Sequence, residues 1–158
     1  MRRMPVLKTL TDPGVLPSLV ARLRALRVDS PRRWGTMTPH EMLCHLGDST
    51  AMVLRVRPRT KELPRRRRPF VKAIVLWAPI PWPHGITTNP WLNPRIDGTR
   101  PSEFERDRER AIAGVEGLAA AAPDTLEPVH GILGTMTARD WQRWAYRHTD
   151  YHLRQFGV

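Results

Sequence analysis

A single cysteine, Cys44, stands in the 158 residues, so no internal disulfide can form and no thiolate cluster can be built. A reducing, cytosolic setting follows. The opening "MRRMPVLKTLTDPG" has charge but no apolar segment behind it, so no secretory signal peptide is expected. Long hydrophobic runs are missing as well. The most apolar stretch, "FVKAIVLWAPIPW" at 70–82, contains a lysine and is too short to span a bilayer, so no membrane role is expected. Lysine itself is scarce, and most of the positive charge is arginine.

What is present is a chain of single-domain size, 1–158, with 41% hydrophobic and 26% charged residues, ordinary values for a globular protein with a core. A net charge of +11 suits an anionic partner or substrate, but it equally suits an arginine-rich composition with no such meaning. The run "RRRR" at 65–68 is short, bounded by prolines and not interleaved with aromatics. A single-strand stacking platform needs that interleaving, so no specific nucleic-acid partner is expected.

Four helices can be read from apolar spacing and start signals. Leu16, Leu19, Val20, Leu23 and Leu26 form one stripe over 15–28. Thr38, Pro39 and Glu41 make a capping box with proline at the first helical position, opening a second helix that runs to about Arg55. Nine of the 16 prolines fall in 58–101, read as a long crossover with one short helix at 69–78. "SEFE" at 102–105 is a second capping box, opening a third helix that buries Phe104, Ala111, Val115, Leu118 and Ala122. "GTMT" at 35–38 recurs at 134–137, where Thr137 and Asp140 open the last helix. With no credible alternating strands, the pattern is that of an all-α bundle.

The chemistry-bearing residues lie on the inner faces. At about 100° per residue, Trp141, Trp144, Ala145, Tyr151, His152 and Gln155 fall within roughly 60° of His148. Arg139, Arg143, Asp150 and Arg154 fall on the far side. On the second helix, His45 shares its face with Glu41, Met42, Asp48, Ser49 and Met52. If the two helices are antiparallel, His45 reaches the depth of His148 and His152. Three imidazoles at one level can close a tripod that leaves coordination positions open. They can equally be hydrogen-bonded core histidines, and spacing alone does not decide. Asp48 could orient an imidazole from behind, or cap or face solvent. Gln155 and Tyr151 flank His152 and could face a substrate or pack. His130 reads as structural, distant from the tripod. His84, in the crossover, could reach the mouth of a pocket or be a plain surface residue, and Trp82 and Trp91 read as candidate pocket walls.

"RWGTMTPHEMLCHLGDS", followed about a hundred residues later by "HGILGTMTARDWQRWAYRHTDYHLRQFGV", resembles the DinB/YfiT-like superfamily, and more narrowly a branch whose last helix ends His-x-x-x-His-Leu-Arg-Gln-Phe-Gly. The resemblance covers the second and last helices, about half the chain. It implies a four-helix bundle, up-down-down-up, with a divalent metal held by His45, His148 and His152. It also implies a metal-dependent transferase or hydrolase that activates a low-molecular-weight thiol or water for a small-molecule substrate. A bundle that binds metal without turnover, and a basic module that binds anionic partners through the arginine-rich loop, stay open beside it. Three imidazoles accept Zn, Ni, Fe or Mn. Monomer and homodimer are both compatible. Protons compete for such ligands, so a metal-induced gain in stability should fade as pH falls through about 6.

Overall fold

The computed structural model describes residues 7–57 and 67–158. Residues 1–6, and Arg65 and Arg66 of the arginine run, lie outside the described residues. Its helices are α1 (Val15–Ala25), α2 (Pro39–Val53), the short α3 (Pro69–Lys72), α4 (Phe104–Ala120) and α5 (Ala138–Gln155). A π-helical turn, Ala73–Trp77, continues α3, and a 3-10 turn spans Pro90–Leu92. The protein is mostly helical.

Each long helix starts as its local chemistry dictates. Capping boxes are formed at Thr38, as expected, and at Thr137: the threonine hydroxyl accepts from the N–H of Glu41 or Asp140, whose side chain accepts from the threonine N–H. The start of α4 differs from expectation. Glu103, not Ser102, is the N-cap, and its carboxylate accepts from the N–H groups of Glu105 and Arg106. Ser102 is engaged elsewhere, with its N–H donating to the buried Asp107 carboxylate. Ala122 lies beyond the end of α4 and is exposed.

The core is continuous. Leu19 and Leu23 of α1, Met42, Leu43 and Leu46 of α2, Ile112, Val115 and Leu118 of α4, and Trp141 and Leu153 of α5 are all buried in one cluster. The α2–α4 pair is the most closely packed. Gly114 makes this possible: a Cβ there would collide with the Thr50 side chain across the interface. A small hairpin, β1 (Val129–His130) with β2 (Gly134–Thr135), was not expected from the sequence. Its two-residue strands are too short to show an alternation, and Gly134 supplies the left-handed φ of 75° at the turn.

Arg143 is a larger departure. The helical wheel puts it on the outer face, yet it is buried, donating from Nε to the Leu76 carbonyl (2.6 Å) and from a terminal nitrogen to the Lys8 carbonyl (2.7 Å). The crossover and the N-terminal segment cover that face of α5. Arg147 does the same one turn on, donating to the carbonyls of Val75 (2.7 Å), Ala78 (3.2 Å) and Ile80. Two guanidinium groups thus satisfy carbonyls of the π-turn and the residues after it, and Trp82 Nε1 shares that of Val75 at 2.8 Å.

Candidate metal centre

His45 from α2 and His148 and His152 from α5 come together, with ring centroids 5.0, 4.9 and 4.8 Å apart pair by pair. One nitrogen from each lies within 4.8 Å of the other two, close enough for the trio to hold an ion. His45 and His152 are buried, and His148 is partly exposed toward a cavity. The i, i+4 spacing on α5 supplies two of the rings. The third depends on how α2 packs.

The outward nitrogens of two rings are fixed. His45 Nδ1 lies 2.9 Å from the Leu92 carbonyl, which only accepts, so Nδ1 carries the proton and Nε2 a lone pair. His152 Nδ1 lies 3.0 Å from Gln155 Oε1. The amide orientation follows from the other end of that side chain, where Nε2 donates to the Trp34 carbonyl at 2.8 Å. Gln155 therefore offers its oxygen to His152, whose Nε2 also keeps a lone pair. Gly35 leaves room for this amide, since a Cβ there would meet Gln155 Nε2, and its φ of 78° suits glycine. His148 stacks on Trp144 at 4.6 Å, and its Nε2 sits 3.0 Å from His45 Nε2.

All three rings are held neutral. Burial pushes His45 down from its ordinary value, against smaller upward pulls from the Leu92 carbonyl and Asp48. His148 falls well below the ordinary histidine range, by burial first and then by repulsion from His152, His45 and His130. Burial, reinforced by His45, takes His152 to about 3. Two lone pairs thus converge on a third imidazole with no carboxylate among them. The donor set fits a borderline divalent ion such as zinc.

Asp48 does not stand behind an imidazole. Its carboxylate accepts from the Thr99 N–H and hydroxyl, both at 2.7 Å, and pairs with Arg57 and Arg110 at 2.5 and 3.0 Å. The groups that orient the rings are Leu92, in the crossover, and Gln155. Sequence reasoning named Gln155 but missed Leu92 and the Trp34–Gly35 segment, because a backbone carbonyl carries no side-chain signal. Tyr151 lines the cavity and donates to the Pro83 carbonyl at 3.3 Å. His130 lies nearer the site than expected: it lines the same cavity, with its ring 5.9 Å from Trp144. His84 is exposed but stacked on Trp34 at 4.0 Å.

Above the histidines lies a cavity of about 550 Å³, roofed by Trp82, Ile86, Trp91 and Leu92 of the crossover. Trp82 and Trp91 are wall residues, as expected. Cys44 is fully buried, and burial first, then Asp107, pushes its thiol up to about 12, so it is no nucleophile. Among the described residues, no helix is long and apolar enough to cross a membrane. Comparison with known protein families, characterised proteins and solved structures returns no match.

Proposed function

We propose that this protein is a DinB-like four-helix-bundle enzyme that holds one divalent ion on His45, His148 and His152 and acts on a small molecule by activating a thiol or water. The observation that carries the reading is the convergence of three neutral imidazoles, two with fixed inward lone pairs, at the base of a cavity. An ion bound there supplies Lewis acidity, lowering the pKa of a coordinated thiol or water. The set includes no carboxylate, so the protein itself does not neutralise the ion's charge, which favours an anionic fourth ligand.

The chain's own contributions are orientation and exclusion. Leu92 and Gln155 hold two protons on the Nδ1 atoms, so neither ring has to change tautomer to accept the ion. Trp82 and Trp91 wall the cavity beside the site with apolar faces. Metal analysis of protein purified without chelator or a nickel column should give about one ion per chain, and His148→Ala should lose it. Full stoichiometry in that variant would overturn the ligand assignment. A conjugation and hydrolysis screen on the loaded protein then tests turnover.

A further inference from the structure

The net charge of +11 suggests an anionic substrate, but the walls of the cavity do not. Among the described residues lining it there is no Asp, Glu, Lys or Arg. The nearby guanidinium groups are committed elsewhere. Arg147 and Arg143 satisfy backbone carbonyls of the π-turn region, and Arg57 pairs with Asp48. Arg32 donates to the carbonyls of Thr36 and Met37, and Arg95 to Glu41. None of these five lines the cavity, and neither does Arg68, whose guanidinium donates to the carbonyl of the lining residue Ile132 at 3.4 Å.

Several polar atoms of the lining are used up as well, and the remainder include only neutral side chains such as Thr87, Thr88 and Asn89. The Ser49 hydroxyl donates to the His45 carbonyl, Tyr151 to the Pro83 carbonyl, and Trp82 Nε1 to the Val75 carbonyl at 2.8 Å. With its N–H committed, Trp82 contributes mainly an apolar ring. Trp91, Trp144, Met52 and Val75 continue the apolar wall, and the half-exposed Ile86 and Ile132 extend it outward. An anion entering this space gives up its hydration and meets no cationic side chain of the lining in return, only neutral donors such as Thr87, Thr88 and Asn89, whereas a flat apolar molecule loses little and gains contact with aromatic faces.

We propose that the cavity selects an uncharged, largely apolar small molecule with an aromatic or fused-ring body, placing its one polar group toward the histidines. The destination of that polar group rests on the metal reading above. The preference for a neutral apolar body does not, because it comes from the walls alone.

The full chain, treated with chelator at pH 8, is titrated calorimetrically with 2-naphthalenemethanol and with 2-naphthoate, which share a ring system and differ in charge. The alcohol should bind at least tenfold more tightly. Equal or tighter binding of the carboxylate, or no binding of the alcohol up to its solubility, overturns the proposal. Ile132→Arg changes an exposed residue of the lining and places a cation beside the cavity. It should raise naphthoate affinity at least tenfold, whatever the alcohol loses with the isoleucine contact. An unchanged naphthoate affinity in this variant would put the ligand outside the cavity and equally overturn it. Zinc loading separates the two readings: 2-naphthalenethiol should gain affinity over the alcohol only in loaded protein. Absence of that gain removes the metal reading and leaves the cavity preference standing.

Discussion

Lowering the pH from 7 to 5 in the presence of chelator should destabilise this protein through its buried histidines. His152 sits at about 3 in the folded state, against about 6.5 in an unfolded chain. Between those values the unfolded state binds the extra proton, so stability falls as pH falls. Integrating one such group from pH 7 to 5 gives a loss of about 2 kcal/mol. His45 and His148 are shifted in the same direction, so the figure from His152 is a floor. Glu41, Asp48, Asp107 and Asp140 are shifted down from their ordinary values, and an unfolded carboxylate takes up protons mainly below pH 5, outside the window. For a chain of this size, about 2 kcal/mol corresponds to a fall in Tm of roughly 4–8 °C.

The same shifts change what metal should do. His152, at about 3, has no proton for an ion to displace at pH 5, and His45 and His148 are lowered in the same direction, so most of the increment from metal at a hundredfold excess over Kd, about 2.7 kcal/mol, should persist from pH 7 to 5. This reverses the expectation from the unperturbed histidine value, which places the fade near pH 6. Urea unfolding at pH 7, 6 and 5, with chelator and with zinc, should give two parallel falling curves. His152→Gln should flatten the chelated curve by about 2 kcal/mol across that range. A chelated curve that is flat in the wild type, or a zinc increment that collapses near pH 6, would refute the reasoning.

Replacing Gln155 by Leu keeps the bulk but removes the acceptor for His152 Nδ1; metal affinity should fall about 10–100-fold with the helical circular dichroism intact. Arg143→Met removes the donor to the Lys8 carbonyl and leaves the Leu76 carbonyl only the 3.4 Å contact from Arg147, and should cost about 1.5–3 kcal/mol in urea unfolding. Gly114→Ala forces a methyl against Thr50 and should cost about 1–3 kcal/mol, partly recovered by adding Thr50→Ala.

Much of this protein is written locally. Capping boxes at Thr38 and Thr137 act over three residues, and the stripes of α1 and α5 repeat every three or four, so both helix starts and the inward aim of His148 and His152 can be read from spacing. The same periodicity misplaced Arg143, because an outer helix face becomes interior once another segment lies on it. It offered Asp48 as a candidate partner for His45 and gave no sign of Leu92. That choice depends on the crossover, whose Leu92 lies 47 residues along the chain from His45. Gln155 reaches the Trp34 carbonyl across 121 residues. The path of a proline-rich connection has no period, and backbone carbonyls look alike in any sequence. Helices and candidate ligands were therefore determined by short-range chemistry. The tautomers, the depressed histidine pKa values and the uncharged walls of the cavity were decided only by which distant segments came to rest against them.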